Sequence, residues 1–157
     1  MKFVYLQKQI LKNIKNGNST SVGVRKTREQ CLYTFSCDKI TDIQLNKKDQ
    51  KYISNKLYNN KNKFLKVLSR IKKDNNTRQA VMSFSQTYKL PSCIVAIQFL
   101  IRDRVLKTLV FSRSLDTKNK LNVDIALVQK YNEKIVNIFK LKNYETTFVV
   151  GSAHYYL

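Results

Sequence analysis

Apolar residues recur along this chain in two rhythms, one helical and one typical of strands. Phe3, Leu6, Ile10 and Ile14 stand at helical spacing with Lys8, Lys12 and Lys15 between them, and Gly17 offers a stop. Phe64, Val67, Leu68 and Ile71 form a second helical stripe, with lysines on the opposite face and Asp74-Asn75-Asn76-Thr77 at its end. Ile125, Val128, Tyr131, Ile135, Ile138 and Phe139 predict a third helix of about five turns. Asn18 to Ser36 reads as a turn and short strands around Val22, Val24 and Leu32-Tyr33-Thr34-Phe35. Ala80 to Phe84 reads as a strand and Cys93 to Ile101 as a buried one. Val105 to Phe111 follows a turn at Arg102-Asp103-Arg104, and Thr146 to Val150 closes the set. Asp38 to Asn60 is polar and weakly patterned, which predicts a loop with a short helix.

These elements predict an α+β fold, a mixed β-sheet packed by amphipathic helices, in a single domain spanning residues 1–157. A small, basic, all-helical protein does not accommodate the apolar runs at 93–101 and 105–111. No apolar stretch is long enough to cross a membrane, and the first residues turn polar too soon for a signal peptide. Three cysteines, Cys31, Cys37 and Cys93, are an odd count in a cysteine-poor chain, which points to reduced thiols and a cytoplasmic setting.

Charge changes the picture. Thirty Lys and Arg against ten Asp and Glu give a net charge of +20. Residues 1–77 hold eighteen basic and five acidic groups, net +13; residues 78–157 hold twelve and five, net +7. The basic N-terminal half is therefore the candidate surface for nucleic acid, or a solvated face that attracts phosphorylated ligands.

The candidate chemistry lies in the second half. Cys93 follows Leu90-Pro91-Ser92 at the head of an apolar run. Arg113-Ser114-x-Asp116 comes twenty positions later, then Asp124, then Gly151-Ser152-Ala153-His154-Tyr155-Tyr156. A lone cysteine at a strand start is more often structural than reactive, and a lone histidine more often satisfied than catalytic. The ordered set of thiol, guanidinium, carboxylate and His-x-Tyr is more specific. With one histidine and cysteines in unsuitable spacing, no metal site is expected.

In order and spacing these residues resemble the nucleotide-binding half of the thymidylate synthase / deoxycytidylate (dCMP) hydroxymethylase family, over roughly Thr77 to Leu157. Lys72 to Val81 is similar to the family's helix end and double-arginine strand start, with Gln79 in place of the second arginine. The resemblance implies a thymidylate synthase-like fold in shortened form. The implied activity is a pyrimidine deoxynucleotide C5 one-carbon transferase using 5,10-methylenetetrahydrofolate. Cys93 would be the nucleophile adding to C6 of the pyrimidine, its thiolate favoured by the Arg113 guanidinium. Arg113 and Ser114 would hold the phosphate, joined by Arg78 across the interface of a homodimer. Asp116 would lie near the ring, and His154 with Tyr156 would bind the sugar.

Asp124 discriminates within the family. Synthases have asparagine at the matching position, whereas aspartate resembles the dCMP hydroxymethylases and favours dCMP over dUMP. A carboxyl can accept from the cytosine amino group and share a proton with N3. Read without the family, Asp124 is a carboxylate near a helix N-terminus. Several parts of the family pattern are missing: there is no tryptophan, Lys120 stands at a usual glycine, residues 38–60 offer no match for the family's proton-relay glutamate, and the sequence stops soon after His-x-Tyr. These departures leave a second reading, a catalytically impaired member that binds nucleotide or nucleic acid.

Overall fold

The computed structural model describes residues 1–22, 24–85 and 92–157; Leu90 and Pro91 of the cysteine motif lie outside them. Among the described residues, six strands form one sheet in the order β1-β2-β6-β5-β4-β3. They are β1 (Asn18–Val22), β2 (Arg25–Cys37), β3 (Val81–Ser83), β4 (Ile94–Arg102), β5 (Val105–Asp116) and β6 (Asn143–Tyr156). The helices are α1 (Phe3–Lys15), α2 (Lys47–Asn59), α3 (Lys61–Lys73) and α4 (Leu121–Phe139). Neighbouring strands pair antiparallel except β5 and β6, which run parallel. A parallel pair needs a long crossover, and α4 supplies it. The sheet is mixed and the fold α+β, as the two rhythms predict.

The stripes of the first two helices are buried as the spacing requires, Leu6, Ile10 and Ile14 on α1 and Phe64, Val67 and Ile71 on α3, whereas Ile138, expected in the stripe of the third, is exposed near the end of α4. Gly17 ends the first helix at a point where a Cβ would collide with the carbonyl of Glu29 on β2, so the close approach of strand to turn requires glycine. Helix α4 is buried nearly all round in its first half, with Leu121, Val123, Ile125, Leu127, Val128 and Tyr131 shielded from solvent. Its rotation is pinned by a buried amide. Asn132 Oδ1 accepts from Thr108 Oγ1 on β5 at 2.7 Å, and its Nδ2 donates to Thr146 Oγ1 on β6 at 2.9 Å.

The structure departs from the expected elements in three places. The segment expected as a loop with a short helix contains the full 13-residue α2. Only Asp49 and Ile53 of α2 are buried, so it has almost no apolar stripe to reveal it. Its start is set by a capping box: Asn46 Oδ1 accepts from the Asp49 amide at 2.9 Å, and Asp49 Oδ2 accepts from the Asn46 amide at 3.3 Å. The strands expected as short pieces within Asn18–Ser36 include a continuous 13-residue β2. Strands β5 and β6 also run several residues beyond their apolar stretches, because polar residues at their ends still find partners in the ladder.

The hairpin between β4 and β5 turns through Asp103 and Arg104 at φ 52° and 62°, the left-handed pair of a tight two-residue connection. Irregularities collect at the other end of the sheet: β4 shifts register between Ile94 and Ala96, and Leu32 of β2 has φ 52°. Bulges of this kind re-aim side chains at sheet ends. No helix among the described residues is long and apolar enough to cross a membrane.

Candidate active site

The parallel register of β5 and β6 carries the site. Ser114 pairs with Ser152 and Asp116 with His154, so two motifs far apart in sequence lie side by side. The antiparallel β4 brings the third segment: the Arg113 amide donates to the Cys93 carbonyl at 2.9 Å, and Ser114 Oγ lies 3.7 Å from Cys93 Sγ. Arg113 Nε also donates to the Ser92 carbonyl at 3.2 Å, which ties the exposed guanidinium to the segment that carries the thiol. At Gly151 a Cβ would meet the Arg113 carbonyl at 2.8 Å, so this tight strand contact depends on glycine.

Beyond Asp116 the chain folds into a bonded turn. Thr117 donates to the His154 carbonyl through its amide and its hydroxyl, each at 2.9 Å. The Asp116 carboxylate accepts from the Lys118 and Asn119 amides and from Asn119 Nδ2, at 3.2, 3.1 and 2.9 Å. Three of about four acceptor positions on a carboxylate are thereby taken, leaving one for a ligand. The rings of His154 and Tyr156 meet edge to face at 5.4 Å, and the Arg25 guanidinium lies 5.3 Å from the centre of the Tyr156 ring.

Asp124 enters from the first turn of α4. It is 6% exposed, and its Oδ2 has no hydrogen-bond partner in the protein. Burial pushes its carboxyl up to about 7, while the Lys120 and Lys56 ammonium groups act in the opposite sense. Tyr52 of α2 is near enough to feel both Asp124 and Cys93, and with burial as the main cause its phenol is pushed up to about 12. The Lys56 ammonium stands 5.5 Å from the Tyr52 ring centre. Thus Cys93, Ser114, Asp124, Tyr52 and Lys56 share one neighbourhood at the end of the sheet that also holds Asp116, His154 and Tyr156.

Arg78 is not part of that cluster in one chain. It is exposed just before β3, the edge strand on the far side of β4, and its carbonyl accepts from Gln98 Nε2 at 2.9 Å.

Three residues near the site escaped the sequence reading. Tyr52 and Lys56 were hidden with α2, whose one local signal was the Asn46-x-x-Asp49 capping pattern. Glu29 was hidden among the basic residues of β2. It pairs with His154 in the β2–β6 ladder, and its carboxylate accepts a hydrogen bond from the Ser152 hydroxyl. Among the described residues no three His, Cys, Asp or Glu side chains gather as metal ligands.

A family model described as thymidylate synthase matches residues 21–157. No curated protein matches the chain.

Proposed function

The chain belongs to the thymidylate synthase family, and from that premise we propose that it is a dCMP 5-hydroxymethyltransferase-like enzyme acting as a homodimer. The family's chemistry is one-carbon transfer to C5 of a pyrimidine nucleotide, generally with methylenetetrahydrofolate. The observation that carries the narrower reading is Asp124, a buried carboxyl with one oxygen unpartnered, poised between its two protonation states near neutral pH. A buried polar atom without a partner is costly unless a ligand completes it. Cytosine does so: its amino group donates to one oxygen while N3 shares the carboxyl proton. That shared proton draws electrons from the ring and makes C6 more open to attack.

In this reading Cys93 sulfur bonds to C6, which makes C5 nucleophilic; C5 takes up the one-carbon unit and gives its proton to water, and the sulfur leaves again as thiolate as the 5,6 double bond is restored. The Ser114 hydroxyl, at 3.7 Å, steadies the sulfur between the two events. Arg113 and Ser114 take the phosphate, with Arg78 of a second subunit completing the clamp. Asp116 lines the ring and offers its remaining acceptor position, and His154 and Tyr156 hold the sugar. Tyr52, its phenol held protonated, serves as a hydrogen-bond donor beside the reacting carbons.

The surface next to Cys93 fits a folate in kind. Tyr52, 40% exposed, offers a flat ring for a flat heterocycle, and Lys56 offers a cation for an anionic tail. When bound, that carrier supplies the one-carbon unit; water rather than hydride completes the hydroxymethyl group.

The homodimer rests on the sheet face opposite α4. Gln98, Leu100, Leu109, Phe111, Thr147 and Val149 alternate with the buried residues of their strands and so share that face. Phe111 is 39% exposed there. A broad, partly apolar sheet face calls for a covering layer, and a second copy of the same face supplies it. Arg78 is tied to that face through Gln98, and Arg113 lies exposed on it.

Isothermal titration of dCMP and dUMP tests the base assignment. The wild-type protein is expected to prefer dCMP by about tenfold or more and Asp124→Asn to prefer dUMP. Equal affinities in both proteins would sink it.

One observation favours the second reading, a binding protein without turnover. The groups α2 brings to the site are a phenol, which reaches toward Cys93 and Asp124, and an ammonium beside that ring and Asp124, where the family uses a glutamate for proton relay. Tritium release from C5 of labelled dCMP separates the two: release that Cys93→Ala abolishes marks the enzyme, and dCMP binding without release marks the binding protein.

A further inference from the structure

Helix α1 carries no acidic residue, and its lysines line a groove that the nucleotide reading leaves unused. Lys8, Lys12 and Lys15 fall on one side of α1 at spacings of four and three residues, and Lys118 faces them from the turn after β5. Leu11 and Tyr155 form the floor of a cavity of about 340 Å³. The Lys118 ammonium lies 4.3 Å from the centre of the Tyr155 ring, which holds it over the floor. Gln7 Nε2 donates to the Thr117 carbonyl at 3.0 Å and to the Lys118 carbonyl at 3.3 Å, fixing α1 against that turn.

Four ammonium groups around one cavity repel each other unless something anionic lies between them. Neither of the ion pairs found among the described residues, Lys39–Glu133 and Lys107–Glu145, involves them. At about 1.5 Å rise per residue, Lys8 and Lys15 stand about 10 Å apart along the helix. That span is too long for a single phosphate and suits successive phosphates of a chain. The apolar floor adds a second requirement, a flat, partly apolar group between the phosphates. A duplex keeps its bases inside and presents a convex backbone; an unpaired strand offers both.

We propose that the groove between α1 and Tyr155 binds single-stranded nucleic acid. The groove is separate from the nucleotide site, because Tyr155 alternates along β6 with His154 and Tyr156 and points to the other face of the strand. The proposal therefore stands whichever nucleotide that site takes.

The test is fluorescence anisotropy of a labelled single-stranded oligonucleotide, as DNA and as RNA, with inorganic polyphosphate, duplex DNA and phosphatidylserine vesicles as competitors. Four neutralised phosphates give a salt slope near −2.8, from about −0.7 per contact on a single strand. The triple variant Lys8→Gln/Lys12→Gln/Lys15→Gln is expected to reduce that slope by about 2, and Tyr155→Leu to weaken strand binding about tenfold with polyphosphate binding unchanged. The charge-matched control Lys61→Gln/Lys66→Gln/Lys72→Gln on α3 is expected to change the slope little, and dCMP affinity to be unaltered in the groove variants. An equal loss in the α3 control overturns the proposal. So does stronger competition by polyphosphate, duplex or vesicles than by the unlabelled strand.

Discussion

The hydroxyl of Ser114 lies 3.7 Å from the sulfur of Cys93, and this contact links β5 to the residue just before the antiparallel β4 rather than lying within one loop. The thiol and its polar neighbour are therefore held by the sheet itself. Ser114→Ala leaves the ladder intact and removes the donor. Its expected effect is about a tenfold slower release of tritium from C5 of dCMP, with Cys93→Ala abolishing release altogether. Unchanged release in Ser114→Ala would show that the contact is structural.

Asp124 gives a pH dependence with a defined sign. Its carboxyl rises from an ordinary 3.8 to about 7 on folding, chiefly through burial. The folded protein then holds this proton more tightly than the unfolded chain. The resulting stabilisation is complete below about pH 4 and is lost as pH rises through about 7. Asp124→Asn cannot ionise, so its melting temperature should fall less than that of the wild type between pH 5 and pH 8. The expected difference at pH 8 is on the order of 1–3 kcal/mol in favour of the variant. Parallel pH profiles for the two proteins would contradict it.

The same proton should appear in binding. Above pH 7 the free carboxyl is ionised and the dCMP complex shares a proton with N3, so binding takes up close to one proton. Below pH 6 the proton is already present and uptake vanishes. Calorimetry in buffers of differing ionisation enthalpy measures this directly, and uptake that persists in Asp124→Asn would refute the assignment.

Asn132 bridges Thr108 and Thr146 beneath α4. Asn132→Leu strands two buried hydroxyls and is expected to cost about 2–4 kcal/mol in urea unfolding. Restoration of much of that loss by Thr108→Val/Thr146→Val in the same chain would confirm the cause, since all three groups then become apolar.

Gly151 faces the backbone of Arg113 so closely that a Cβ must displace it. Gly151→Ala should part β5 from β6 where Arg113, Ser114 and Ser152 meet. A stability loss of about 1–3 kcal/mol is expected, with dCMP affinity reduced at least tenfold. Wild-type affinity in this variant would remove the strand contact from the account of the site.

The helical stripes of α1, α3 and α4 and the apolar runs of β4 and β5 were legible in the sequence because burial repeats with the period of the backbone. Helix α2 was not, since it buries only Asp49 and Ile53, and its existence rests on a cap and on packing near α4. The motifs around Cys93, Arg113, Asp124 and His154 were likewise readable as residues in order. That Ser114 should stand beside Ser152, that Glu29 should bond Ser152, and that Tyr52 and Lys56 should reach Cys93 and Asp124 was decided only by strand register and helix docking. Local spacing states which side of an element faces inward. Which distant elements then touch depends on how the whole sheet pairs and what the helices cover, and no window of sequence contains that information.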